Sequence, residues 1–323
     1  MTDSTSPSTT SDPDAGGAPL PVSGAPVTLV HGPYRAELAG VGATLRALTH
    51  DGRDLVVPFD VDAVRPLFRG ALLAPWPNRV VDGRYVDDDG VERQLAVSEV
   101  ERGHALHGLV AWAEWQVEEA GPTRASFATE LAPSDGYPWR LRLRAEHELG
   151  DEGLTTTVTA TNVGVGTAPY GVAPHPYLVA GEGRVDDWTL TLPAASWLDV
   201  TDDRLVPLDL HGVDEKPEFD FRASRRLGDT FVDHAFTDLE PGEGGLVRAT
   251  VVAADGRGVA MTWGPELPWV QVHTADRPDP ADDRVGLAVE PMTCPPDAFS
   301  SGTDLVRLAP GEQHTAAWTI SAA

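Results

Sequence analysis

The stretch Leu141-Arg142-Leu143-Arg144-Ala145-Glu146-His147-Glu148-Leu149 alternates at period two, and after Gly150-Asp151-Glu152-Gly153 the alternation resumes from Thr155 to Thr161. Successive side chains of a β-strand point to opposite faces, so this pattern predicts two half-buried strands joined by a hairpin turn over Gly150 to Gly153. The same texture extends in both directions. Val27 to Val30, Tyr34 to Leu38 and Thr44 to Leu48 read as strands, with His50-Asp51-Gly52 as a turn. Trp188 to Leu192, Val247 to Ala253, Val259 to Trp263, Trp269 to Thr274, Val285 to Val289 and Glu312 to Ile320 read likewise. Very little repeats at helical spacing. Many short strands without alternating helices imply antiparallel sheets packed face to face, not a parallel α/β fold. The expected fold is all-β, one large antiparallel β-sandwich over residues 25–323 with no internal repeat. Residues 1–24, rich in Ser, Thr, Pro, Gly and Asp, are expected to form a disordered leader.

Composition narrows the function classes. The formal net charge is −26, Lys216 is the sole lysine, and arginine supplies nearly all the positive charge. Such a surface argues against binding a nucleic-acid backbone or an anionic membrane. An Ala-, Gly-, Pro-, Asp- and Arg-rich chain with almost no lysine fits a GC-rich coding sequence as well as salt adaptation, and neither bears on chemistry. A single cysteine, Cys294, leaves no intrachain disulfide framework, and no apolar run long enough to span a membrane is visible. A soluble, cytoplasmic protein is expected.

Four stretches carry residues that strands do not need. In Gly171-Val172-Ala173-Pro174-His175-Pro176-Tyr177-Leu178 an imidazole lies between two prolines, which fix their own φ and push the preceding residue out of the helical region. His175 is therefore expected on an extended, stiff segment, either as a proton-transfer group or as a hydrogen-bonded structural residue. In Leu72 to Val80, Pro75-Trp76-Pro77-Asn78-Arg79 sets an amide beside a guanidinium, donors and an acceptor suited to sugar hydroxyls, with Trp76 as a stacking face. The alternative there is a proline-rich corner with Arg79 in a surface ion pair. Gly103-His104-Ala105-Leu106-His107-Gly108-Leu109 has two histidines three apart, but no third ligand is near and the glycines disfavour a helix, so a metal site is not expected. In extended chain only one of the two can enter a shared pocket. Finally, in Val285 to Asp297 an apolar strand ends at Glu290 and is expected to stop at Pro291, placing a carboxylate where sheet gives way to loop. Partial burial there raises its pKa and improves it as a base. Cys294 has no paired base nearby in sequence.

In order, Pro75-Trp76-Pro77-Asn78-Arg79, His107-Gly108-Leu109 with Trp115 downstream, Pro174-His175-Pro176-Tyr177, Asp233-His234-Ala235-Phe236 and Glu290-Pro291 resemble the aldose 1-epimerase (galactose mutarotase) family from about residue 25 to the end. The resemblance implies that family's large galactose mutarotase-like supersandwich and a carbohydrate site without metal or cofactor. It implies Glu290 as general base and His175 as general acid. His107 and Arg79 would hold hydroxyls or the ring-oxygen region, Asp233 would bind hydroxyls, and Asn78 would support Arg79 or the sugar. One departure is visible: Pro75-Trp76-Pro77 replaces a stretch richer in glycine and alanine in many galactose mutarotases, which leaves sugar preference open.

The chemistry suits those residue types. Removing the C1 hydroxyl proton while the ring oxygen is protonated opens the ring, and closure on the other face inverts the anomer. With reference values of about 4.3 and 6.5, modest shifts leave a carboxylate and an imidazolium near neutrality. His175 is expected in a cleft opposite Glu290, about one sugar-ring thickness away. The expected partner is a free aldohexose, acted on by a monomer or homodimer. Two alternatives stand beside this: an epimerase of a hexose 6-phosphate, using Arg65, Arg69, Arg79 and Arg84 against the phosphate, and a non-catalytic carbohydrate-binding sandwich.

Overall fold

In the computed structural model, which describes residues 19–323, the alternating hairpin forms as its pattern requires. Leu141–Gly150 pairs with Gly153–Asn162, Leu149 opposite Leu154 and Gly150 opposite Gly153. Leu141, Leu143, Ala145, His147 and Leu149 are buried, while Arg142 and Glu148 face solvent. The hairpin lies within a nine-stranded antiparallel sheet. From the edge Gln116–Ala120 it runs through Arg124–Leu131, the hairpin, Gln313–Ala322, Gly258–Trp263 and Val247–Val252 to Thr189–Thr191 and Arg225–Arg226.

A second sheet has six strands, in the order Tyr177–Leu178, Leu287–Met292, Trp269–His273, Asp233–Leu239, Ala194–Val200 and Pro207–Gly212. A third, of four strands, is formed by Pro26–His31, Tyr34–Ala39, Thr44–His50 and Arg53–Asp54. One contiguous apolar cluster joins all three: Leu29, Leu38 and Leu48 from the third, Phe127, Val158, Met261 and Trp318 from the first, Phe236, Val270, Val272 and Val289 from the second. Burying each such side chain contributes roughly 1.5–3 kcal/mol. Trp263 and Trp318 stand directly opposite in register, and the Trp263 Nε1–H donates to the Leu267 carbonyl at 3.1 Å, so that indole is buried without an orphaned donor. The architecture is the all-β antiparallel sandwich, with Ala298–Ser301 the one α-helix among the described residues. No helix among the described residues is long and apolar enough to cross a membrane.

Two boundaries differ from expectation. The strand carrying Glu290 runs on through Pro291 to Met292, with Pro291 opposite Val270. Along a strand, N–H groups point alternately to the two neighbours, and the Thr293 N–H, two residues on, is donated away from Trp269–His273 to the Val172 carbonyl. The nitrogen of Pro291 faces that same side, so the ladder loses no donor and the strand continues. Of the expected leader, residues 1–18 lie outside the described residues. Ser23 is buried, its hydroxyl donating to the Val61 carbonyl at 2.7 Å.

Candidate active site

Period two sorts the six-stranded sheet into two chemically different faces. On Trp269–His273, Val270 and Val272 enter the core, while Gln271 and His273 point the other way. Register then assembles the polar face. Glu290 lies opposite Gln271, Asp233 opposite His273, and Tyr177 and His273 both flank Ala288. A cavity of about 400 Å³ covers this face and is lined by all six residues singled out above: Asn78, Arg79, His107, His175, Asp233 and Glu290.

His175 arrives on the extended segment expected from its prolines. Ala173–Pro174 pairs with Leu72–Leu73, the His175 N–H donates to the Ala71 carbonyl at 3.0 Å, and its carbonyl accepts from the Gly70 N–H at 2.8 Å. Its Nε2 lies 3.5 Å from Oε1 of Glu290, both side chains almost wholly buried. The two groups are therefore neighbours on one side of the cavity, not separated by a sugar ring, because register fixes Glu290 beside the strand that follows His175. Asn78 and His107 come together through backbone pairing: Arg79–Val80 pairs with Ala105–Leu106, and the His107 N–H donates to the Asn78 carbonyl at 2.8 Å. Both adopt left-handed φ, 53° for Asn78 and 62° for His107. That conformation costs a non-glycine residue on the order of 1–2 kcal/mol and fixes where each side chain aims. His104 turns away, accepting from the Asp82 N–H at Nδ1 and donating from Nε2 to the Arg204 carbonyl.

Arg79 is not in a surface ion pair. Its Nε and Nη2 donate to the two oxygens of Glu99 at 2.8 and 3.0 Å, and Nη1 donates to the Asn78 side-chain oxygen at 3.3 Å. Burial works against this guanidinium's charge, but Glu99, Asp233 and Glu290 together hold it charged. Asp233 accepts from the Gln271 amide at 2.8 Å. Burial pushes its pKa upward, yet His273, Arg79 and that amide outweigh burial and keep it below the usual aspartate value.

The reacting pair has the opposite balance. Burial first, then the negative charge of Asp233, pushes the Glu290 carboxyl well above the usual carboxylate range, with Arg79 opposing. Burial, and after it His273, brings His175 down to about 3. The two shifts run the same way, each favouring the uncharged form of its group. They run against the expected carboxylate and imidazolium, because burial penalises the charged form of each group. Several buried polar atoms on the cavity floor have no partner within the protein: Oε2 of Glu290, Nδ1 of His175, Nδ1 of His107 and the Gln271 oxygen. Leaving such atoms unpaired costs about 1–3 kcal/mol each, which a ligand rich in hydroxyls would recover.

The sequence matches the family model for aldose 1-epimerase over residues 26–321. The chain belongs to the aldose 1-epimerase family. It is 36% identical over 293 residues to the Escherichia coli K12 protein YihR, itself uncharacterized, covering 90% of this chain and 91% of that one. Among solved structures it is similar to a putative aldose 1-epimerase from Escherichia coli K12, with 24% identity, a TM-score of 0.80, and coverage of 93% of this chain and 99% of that one. It is also similar to galactose 1-epimerase from Lactobacillus acidophilus, with 19% identity, a TM-score of 0.76, and coverage of 91% and 93%. At those identities the structural likeness speaks to the fold.

In this aldose 1-epimerase family member several expectations need correction. Trp76 is no stacking face: it is 3% exposed, packs on Phe299 and donates to the Ala105 carbonyl. The aromatic residues lining the cavity are Phe68, Trp112, Tyr177 and Phe231. The arginines considered for a phosphate are dispersed. Arg65 is spent on the carbonyls of Val41 and Ala111 and the Thr44 hydroxyl, Arg69 pairs with Asp282, and Arg84 binds Gln94 beside a separate surface hollow. Cys294 is buried and its thiol pushed up to about 12, which leaves it inert. Among the described residues no three His, Cys, Asp or Glu side chains are disposed to hold a metal ion.

The sequence reading missed Gln271, His273, Arg277 and Glu99, all of which line the cavity. The Nη2 of Arg277 lies 3.2 Å from Nε2 of His273, and since a guanidinium only donates, that nitrogen must be the acceptor and His273 carries its proton on Nδ1, toward Asp233. A signal for two of them was present: Gln271 and His273 are polar at i and i+2 on a strand whose intervening residues are valines. Glu99, in a loop with Ser98 and Arg102, gave none.

Proposed function

We propose that this protein interconverts the α and β anomers of a free aldohexose, with Glu290 as general base and His175 as general acid. The observation that carries the reading is the buried approach of Glu290 Oε1 to His175 Nε2, 3.5 Å, at the floor of a polar cavity. The C1 hydroxyl oxygen and the ring oxygen O5 are bonded to the same carbon, so a carboxylate and an imidazole this close can each reach one of them. Ring opening proceeds from the placement that has the pair's proton on His175: the Glu290 carboxylate takes the proton of the C1 hydroxyl, the freed electron pair forms the C1 carbonyl, the C1–O5 bond breaks, and O5 takes a proton from the His175 imidazolium. After rotation about C1–C2 the O5 hydroxyl attacks the other carbonyl face, His175 recovers its proton and Glu290 returns the other. Only one proton on the pair is needed, and its two placements are exchanged by each half-reaction. Arg79 and His107 hold the oxygens nearest the reacting carbon, Asp233 binds hydroxyls, and Asn78 supports Arg79.

This proton count sets the pH dependence. A second proton, added to His175 as pH falls, removes the group that must alternate with Glu290, while loss of the shared proton at high pH leaves no acid. The acid limb of kcat/KM is therefore expected toward about pH 3, where His175 titrates, below the reference carboxylate value of about 4.3. Initial rates at each pH, taken where far-UV circular dichroism shows the protein folded, check this. An acid limb at or above the reference value would contradict it.

A phosphorylated hexose is disfavoured by charge. The cavity wall carries Glu99, Glu101, Asp233 and Asp276 against Arg79, Arg102 and Arg277, and the first two arginines share Glu99. Polarimetry on fresh α-D-glucose and α-D-glucose 6-phosphate in parallel tests the assignment. Acceleration with glucose and little or none with the phosphate is expected; the reverse order would transfer the assignment to the phosphorylated sugar.

A further inference from the structure

An imidazole that moves protons is usually oriented through its second nitrogen, yet His175 Nδ1 is buried without a partner. Its ring is held by other rings instead. Tyr177 lies nearly parallel to it at 5.1 Å and 28°, Phe68 at 6.3 Å and 23°, and His107 meets it edge-on at 5.0 Å. Phe68 in turn packs edge-on against His107 at 4.7 Å, so one phenyl ring packs on two of the cavity's three imidazoles.

The backbone that delivers Phe68 is unusual. Leu67 and Phe68 are consecutive non-glycine residues in the left-handed region, with φ of 50° and 57°. That conformation must be fixed by surrounding bonds. The Tyr177 hydroxyl donates to the Leu67 carbonyl at 3.1 Å, and the Ala71 N–H donates to the Phe68 carbonyl at 3.0 Å. The next bonds run directly to His175, whose N–H and carbonyl pair with Ala71 and Gly70. The circuit closes on itself: Tyr177 stacks on His175 and tethers the turn, the turn projects Phe68, and Phe68 packs on His175. On its outer side Phe68 leans on Trp112, 5.5 Å away, which is capped by the Arg65 guanidinium at 4.4 Å.

We propose that Phe68 is a positioning residue for His175, and that the Tyr177–Leu67 hydrogen bond is the tether that holds it in place, packing taking over the orienting role that a hydrogen bond to Nδ1 would otherwise fill. Its kinetic consequence rests on the anomer-interconverting reading above; the orientation itself does not. Phe68→Leu keeps an apolar side chain and removes the ring. It is expected to lower kcat by about tenfold to a hundredfold, the scale for a misplaced catalytic group, with KM changed less than about twofold on the same argument. Phe68→Tyr, which restores a ring, should recover most of the loss, and Tyr177→Phe, which deletes only the tether, should reproduce part of it.

The deciding readout is the His175 ring in 15N-histidine-labelled protein, assigned by its disappearance in His175→Gln. Its ring signals should broaden or split in Phe68→Leu and, if that variant does not fold, in Tyr177→Phe. A rise in KM alone would make Phe68 a substrate wall, and unchanged His175 signals in the folded variants would overturn the proposal. Were the wild-type protein to leave fresh glucose and galactose unaccelerated, the functional reading would fail while the ring signals still decided the positioning role.

Discussion

Glu290→Gln is expected to abolish the acceleration of mutarotation while leaving fold and sugar binding nearly intact. The amide has the shape of the carboxyl but cannot take the C1 hydroxyl proton, and general-base catalysis is worth about 10²–10⁴ in rate. What makes the variant informative is the resting protonation state. Burial and Asp233 push the Glu290 carboxyl toward its neutral form, so a neutral amide of the same shape suits the site. The melting temperature should therefore hold, which it would not if the site rested as an ion pair with His175. Titration calorimetry with galactose alongside polarimetry separates the two effects. Near-normal turnover would mean that the base is another residue.

Arg79→Met should damage both binding and stability. The guanidinium is locked to Glu99 through two bonds, at 2.8 and 3.0 Å, and each side chain is only 11% exposed. Losing a charged hydrogen-bond donor costs about 1.5–3 kcal/mol, so kcat/KM is expected to fall roughly tenfold to a hundredfold. The abandoned Glu99 keeps Arg102 at 2.9 Å, so the stability loss should lie near the lower end of the range for a broken buried pair, about 3 kcal/mol. Adding Glu99→Gln to Arg79→Met removes the stranded charge. The double variant should regain stability and not activity, and thermal melts with kinetics on all three variants read the coupling directly. Equal recovery of both would indicate that Arg79 serves the fold alone.

The parts of this molecule that were legible in its sequence are those where period two and chain stiffness act locally. The 141–162 hairpin, the valines of Trp269–His273 and the extended presentation of His175 follow from alternation and proline geometry. What was not legible depends on register between distant strands. Nothing in Gln271 or Glu290 alone says that they face each other, and the expected sugar-ring gap between His175 and Glu290 shrank to 3.5 Å because two strands separated by more than a hundred residues are adjacent in the sheet. Pro291 looked like a strand end, since the side on which its nitrogen points is set by a partner that the sequence does not reveal. Trp76 and Phe68 exchanged roles for a similar reason. The tryptophan between prolines went into the core, and the ring that reached the cavity did so through a left-handed turn that Leu67 and Phe68 give no hint of adopting.

The family assignment and the reactive pair meet in one measurement. Optical rotation of freshly dissolved α-D-glucose and α-D-galactose, followed with and without the protein in a buffer of low intrinsic catalysis, is predicted to relax faster with protein, in proportion to its concentration, and to the same final rotation. A relaxation rate indistinguishable from buffer for both sugars would contradict the account of Glu290 and His175 as a mutarotating pair.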